Sequence, residues 1–148
     1  MFGRRGAEPL ERLVYCSRAC IDTTSLQAIS EILGVSHRNN AREGLTGALA
    51  INDGWFLQVI EGPAPAIDAL LRRLADDPRH AEIEVLSRRP VSGRLFPDWS
   101  MVAARITPDI GPQLQRLIDE CRTSPEAAVD ALLRIVAGRK APLETAAR

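Results

Sequence analysis

Two apolar runs, LTGALAI (residues 45–51) and WFLQVIEG (residues 55–62), are joined by Asn52-Asp53-Gly54. Asp-Gly favours a tight turn with positive φ, so the two runs are predicted to fold back as an antiparallel hairpin. Side chains alternate along a strand, which puts Phe56, Gln58 and Ile60 on one face and Leu57 and Val59 on the other. Both faces are apolar, so the hairpin requires cover on both sides and belongs inside a layered fold. Gln58 is the odd member. A buried amide without partners costs about 1–3 kcal/mol, so partners must lie nearby.

The flanking segments fit around this hairpin. RLVYCSRA (residues 12–19) has strand character. A helix capped at Thr23 or Thr24 follows, with an apolar stripe Leu26, Ile29 and Leu33, and Gly44 is its predicted stop. Pro63 and Pro65 mark the next boundary, after which Ile67, Leu70, Leu71 and Leu74 trace a second helix ending near DDPRH (residues 76–80). EIEVLSRRPV (residues 82–91) reads as a fourth strand and DWSMVAARI (residues 98–106) as a fifth. The order is βαββαββ, a ferredoxin-like α+β arrangement in which two helices cover one face of a mixed sheet.

From Pro108 onward the pattern is helical. Leu114, Leu117 and Ile118 mark one segment; Ser124-Pro125-Glu126 opens another, with Leu132, Leu133 and Val136 on its apolar side. These two helices are expected to cover the other face of the sheet. The expected organisation is an extension at residues 1–10, a domain at 11–106, a helical cap at 107–140 and a flexible tail at 141–148.

Bulk properties narrow the function. At 148 residues the chain suits one domain. Lys+Arg and Asp+Glu both number 19, so no net field favours nucleic acid or an anionic membrane as a partner. No run approaches the roughly 18 apolar residues of a spanning helix, and a cytoplasmic location is expected. Cys16, Cys20 and Cys121 are odd in number, which suits reduced, buried or half-buried side chains rather than a disulfide framework. With only His37 and His80, and no paired-ligand spacing, a metal site has little support. GxxxxGK[ST], GxGxxG and GxSxG are all absent.

Polar residues at apolar positions point to a site. Leu13, Tyr15 and Ser17 share a face of the first strand, and a buried Tyr hydroxyl needs a partner. Tyr15 and Gln58 satisfy one another if their strands are neighbours. Ser36 and Asn40 continue the buried face of the first helix and Asn39 joins them at its C-terminal end, where fixed amides can read the edge of a planar heterocycle. Arg73 and Asp77, four residues apart, can pair on the second helix. The combination predicts a cleft between two helices, floored by the sheet, holding a flat ligand with carbonyl and imide groups between aliphatic side chains such as Ile32 and Leu74.

Taken together and in this order, RLVYCSRA, SHRNNAREGLTGALAI, WFLQVIEG, RRLADDPRH and FPDWSM resemble the BLUF family of blue-light sensors that bind FAD, over about residues 11–106. The resemblance implies a ferredoxin-like sheet with the isoalloxazine ring between two helices, and a non-enzymatic photoreceptor. It matches Tyr15 to the redox-active tyrosine and Gln58 to the glutamine between that tyrosine and the flavin. Asn40 matches the asparagine that bonds the ring, with Asn39 and Ser36 at neighbouring contacts and Ile32 and Leu74 flanking the ring. Arg73 and Asp77 match polar contacts to the cofactor, with His80 nearby. Trp99 and Met101 match the pair on the last strand associated with signal transmission. Ala50-Ile51 departs from the family, where many relatives carry a bulkier or aromatic side chain.

The segment after residue 106 is only a pair of helices, so the resemblance implies output in trans to an effector protein or through self-association as a homo-oligomer. Two other classes remain open on the residues alone. One is a light-insensitive ferredoxin-like module for ligand or protein interaction. The other is an acylphosphatase-like hydrolase, for which no convincing Arg/Asn phosphate loop is present.

Overall fold

The structure is a computed structural model and describes residues 9–103 and 105–146, with side chains described to residue 138. The elements run β1 (Leu10–Ala19), α1 (Leu26–Glu43), β2 (Thr46–Asn52), β3 (Trp55–Pro63), α2 (Ala64–Ala75), β4 (His80–Val91), β5 (Trp99–Ala103), a short 3₁₀ turn (Pro108–Ile110), α3 (Gly111–Glu120) and α4 (Pro125–Ala146).

The β2–β3 hairpin forms as expected. Asn52 pairs with Trp55, and Asp53 and Gly54 both take positive φ, 49° and 82°. That is the backbone twist a two-residue hairpin turn requires. β1 then pairs antiparallel with β3 on one side and with β4 on the other, while β5 adds parallel to β2, giving the order β4-β1-β3-β2-β5. The register sets Tyr15 opposite Gln58 and Leu49 opposite Gln58 from the other side.

Alternation along these strands separates two layers. Val14, Cys16, Ala48, Ala50, Leu57, Val59 and Val102 pack against Leu114, Leu117, Ile118, Leu132 and Val136 of the C-terminal helices. Leu13, Tyr15 and Ile60 pack with Ile67, Leu70 and Leu74 of α2, while Leu49, Ile51 and Phe56 pack with Ile29 and Ile32 of α1. The ferredoxin-like mixed sheet, with α1 and α2 on one face and α3 and α4 on the other, agrees with the sequence reading.

Several boundaries differ. The N-cap of α1 is Ser25, whose side chain accepts from the Ala28 N–H at 3.2 Å. Thr23 is engaged elsewhere, its hydroxyl accepting the Gly54 N–H at 3.0 Å, and Thr24 bonds Asp22. The buried stripe of α1 is Ile29, Ile32 and Asn40, with Leu26 exposed. Gly44, at φ 73°, closes the helix as expected. β5 is shorter than the expected 98–106: Ile106 and Thr107 both donate to the Ala103 carbonyl in a turn. Cys20 is exposed, whereas Cys16 and Cys121 are buried. Most of the expected N-terminal extension, residues 1–8, lies outside the described residues, as do 147–148; the backbone of 141–146 continues α4.

Candidate functional site

One cleft of about 270 Å³ opens between α1 and α2 over the middle of the sheet. Its floor is Tyr15 on β1, Gln58 on β3 and Leu49 on β2. α1 supplies Ile32, Val35, Ser36, Asn39 and Asn40; α2 supplies Leu70, Arg73 and Leu74; the α2–β4 connection supplies Asp77, Pro78 and Arg79, with His80 opening β4. All ten residues predicted to act at the flavin, Tyr15 and Gln58 included, therefore line the same cavity.

Tyr15 is 1% exposed and Gln58 5% exposed. The Tyr15 hydroxyl donates to Gln58 Oε1 across the β1–β3 ladder. Burial, with a further contribution from the Asp77 carboxylate, raises the pKa of Tyr15 far above the ordinary phenol value, so the hydroxyl keeps its proton. Gln58 thus sits between a buried proton donor and the open cavity.

Two N–H donors of cleft-lining residues, the Asn40 amide Nδ2 and the Arg73 guanidinium Nη2, are buried without a partner. Buried donors are normally satisfied, so this pair calls for acceptor atoms in the cleft. A flat ring carrying carbonyl oxygens and an imide N–H fits that donor set, because the Asn40 amide also has an acceptor oxygen while Gln58, its oxygen bonded to Tyr15, has its NH2 group left to donate. Ile32 and Leu74 add apolar surface from the two helices. The residues therefore suit a flavin ring.

The pairing expected within α2 is not made. The helix ends at Ala75, which takes Asp77 off its surface track. Arg73 instead donates through Nη1 to Glu43 Oε1 and Oε2 at 3.0 and 2.7 Å, tying α2 to the last turn of α1. Asp77 accepts from the Arg79 backbone N–H at 3.0 Å and from its Nε and Nη2 at 2.9 and 2.8 Å. Partial burial opposes ionisation of Asp77, but the Arg79 bonds and the nearby positive charge hold its carboxyl below the usual range. His80 is driven the other way: burial lowers its pKa against the pull of Asp77, with Arg79 reinforcing the drop. Its Nδ1 lies 2.9 Å from Ser17 Oγ, and its ring sits 4.8 Å from that of Phe56.

Arg79, Val35, Leu49, Leu70 and Pro78 were not singled out from the sequence. Arg79 lies inside DDPRH, between two residues that were, and Leu49 follows from the hairpin register opposite Gln58. Trp99 and Met101 do not line the cleft. They lie on β5 beside a shallow groove with Ser30, Leu33, Gly34, His37 and Arg38 of α1, and the indole Nε1 of Trp99 is buried without a partner. Among the described residues no helix is long and apolar enough to cross a membrane, and no cluster of three or more His, Cys, Asp or Glu could hold a metal ion.

A buried tyrosine bonded to a glutamine thus lies at the floor of an amide-lined cleft between two helices. The chain belongs to the BLUF family, sensors of blue light using FAD, whose model matches residues 10–102. It is 36% identical to the BLUF protein BlrB in its dark state, with a TM-score of 0.74 over 90% of this chain and 98% of that one. A bacterial light-regulated adenylyl cyclase is 30% identical, with a TM-score of 0.64 over 77% of this chain and 35% of the cyclase. The photoactivated adenylate cyclase subunit beta of Euglena gracilis is 33% identical over 100 residues, 67% of this chain; the match spans 12% of that relative's own length.

Proposed function

We propose that this chain binds FAD in the cleft between α1 and α2 and senses blue light by rearranging the Tyr15–Gln58 hydrogen bond. The observation that carries the reading is the Tyr15 hydroxyl bonded to the Gln58 amide at the floor of that cleft. FAD, when bound, supplies absorption of blue light and a strong electron acceptor in its excited state. Tyr15 is the electron and proton donor, and both return to it, so the cycle closes without net oxidation. Gln58 is the residue left changed: rotated or tautomerised, its amide exchanges donor and acceptor ends without a change of charge.

Asn40 and Arg73 would hold the cofactor through their unpartnered donors, with Asn39 and Ser36 beside them. Ile32 and Leu74 would supply apolar contact from the two helices, and Asp77, Arg79 and His80 polar contact at the α2–β4 end. The changed bond at Gln58 biases β5, carrying Trp99 and Met101, and the α3–α4 layer. Output then passes in trans to a partner protein or through self-association of this chain. The photoactivated cyclases among the relatives support an effector downstream of the sensor module.

Absorption spectra of the purified protein before and after blue light test the reading. The expected result is a yellow protein whose flavin bands shift reversibly to the red. A colourless protein that flavin cannot reconstitute, or a Tyr15→Phe variant that retains the shift, would overturn it.

A further inference from the structure

The most completely bonded buried carboxylate among the described residues is not in the cleft. Glu61 on β3 is fully buried, and Arg12, its partner on β1, is 6% exposed. Its Oε2 accepts from Arg12 Nε at 2.8 Å and from the Leu95 backbone N–H at 3.0 Å, and its Oε1 accepts from the Phe96 backbone N–H at 2.8 Å. Two of these three donors belong to the connection between β4 and β5. Arg94 fastens the same connection from the other side, donating through Nη1 to Thr46 Oγ1 at 2.6 Å and the Glu61 carbonyl at 2.9 Å, and through Nη2 to the Gly44 carbonyl at 3.0 Å.

This clasp joins three elements of different function. Glu61 lies three residues after Gln58 on the same strand but, by alternation, on the opposite face, toward α3 and α4. Gly44 is the C-cap of α1, the helix that carries Asn40. Phe96 is 3% exposed and belongs to the core shared with Leu132 and Val136 of α4, and two residues further on Asp98 starts the β2–β5 pairing through its carbonyl and the Gly47 N–H. A small apolar cavity of about 140 Å³ lies between the connection and α4, lined by Leu95, Phe96, Pro97, Leu133, Val136 and Ala137.

We propose that Glu61 is a positioning residue for the output: by clasping residues 95 and 96 it couples movement of β3 at Gln58 to the start of β5 and to α4. This rests on the photoreceptor reading given above. A carboxylate is needed because all three groups facing it are donors. An amide supplies only one acceptor oxygen and turns a second donor toward the same N–H groups.

The test is hydrogen–deuterium exchange of the full flavin-loaded chain, dark and illuminated, for the unmodified protein, Glu61→Gln and Arg94→Ala. Arg94→Ala loosens the connection without leaving the buried Arg12 unpaired, and carries the test if Glu61→Gln does not fold. The expected result is an unchanged red shift in both variants, dark exchange of the Leu95 and Phe96 amides faster by roughly tenfold, and loss of the light-minus-dark difference in residues 125–138. A purely structural role would speed exchange equally in dark and light and leave that difference in place. An intact red shift with an intact difference in α4 overturns the clasp alone. Absence of any red shift in the unmodified chain overturns the photoreceptor reading, and the signalling role of Glu61 with it.

Discussion

Tyr15 and Gln58 face one another across the β1–β3 ladder and are joined through their side chains, the phenol donating to the amide oxygen in a nearly water-free setting. The bond joins neighbouring central strands, so its geometry is set by sheet register rather than by loop conformation. Tyr15→Phe removes the hydroxyl and leaves Gln58 Oε1 without its donor. The expected cost is about 1–2 kcal/mol of folding stability, read from urea midpoints, together with loss of the light-induced red shift and retention of bound flavin.

Tyr15 is the single tyrosine of the chain, so its titration can be followed without interference. Its folded pKa is raised, which means the folded state holds the proton more tightly than the unfolded state. Its contribution to stability is fully present below the ordinary phenol value of 10.0 and is lost as pH rises through the folded value. Tyrosinate ultraviolet absorbance is therefore expected only together with unfolding, above pH 10. A tyrosinate signal near pH 10 from protein that remains folded by circular dichroism would contradict the buried placement.

At His80 the sign is reversed. Its folded pKa is lowered, so the unfolded chain takes up a proton first as pH falls below the ordinary imidazole value of 6.5, and stability is lost through that window until the folded value is passed. Asp77, also lowered, adds a second loss on further acidification below its usual 3.8. The melting temperature is expected to fall between pH 7 and pH 5, near the reference His pKa of about 6.5, and His80→Gln is expected to flatten that part of the profile.

Asn40 offers a different asymmetry. Its Nδ2 has no partner within the protein, so Asn40→Ala removes no intramolecular hydrogen bond made by that atom. Stability without flavin is expected to change by less than about 1 kcal/mol, whereas flavin affinity falls roughly tenfold as one donor to the ring edge is lost. Flavin titration followed by fluorescence quenching separates the two effects. Equal losses of stability and affinity would indicate that Asn40 acts through the fold alone.

The βαββαββ order and the β2–β3 hairpin were legible in the sequence because alternation and the Asp-Gly turn fix the hairpin register, whereas the Tyr15–Gln58 partnership depended on β1 lying beside β3, a pairing only the structure supplies. The converging residues of α1 were legible for a related reason: helical spacing continues the buried face into Ser36 and Asn40. What the sequence hid were choices among chemically equivalent partners. Arg73 had Asp77 at helical spacing, but α2 stops before that spacing is completed and Glu43 of another helix is nearer. Ser25 displaced Thr23 and Thr24 as the cap because their hydroxyls are engaged by Gly54 and Asp22. Glu61 in WFLQVIEG gave no local sign that it reaches backbone N–H groups more than thirty residues away, since a carboxylate at a strand end reads as solvated.

Gly47 supplies the sharpest structural prediction. It lies on β2 between β3 and β5, with φ 155°, and a Cβ built there would stand 1.9 Å from the Val59 carbonyl oxygen, a backbone atom that cannot swing aside. Gly47→Ala must therefore push β2 away from β3, the strand that holds Gln58. The expected loss is at least about 2 kcal/mol in folding stability. Because the displaced atoms lie one residue from Gln58, the surviving folded fraction is expected to show a weakened or slowed light response. Cys20→Ser is the matched control: the thiol is exposed, so the change stays within about 0.5 kcal/mol. Urea midpoints and dark-recovery rates of the two variants side by side decide it. A Gly47→Ala protein as stable as Cys20→Ser would mean that β2 and β3 are not as closely spaced at Val59 as the structure places them.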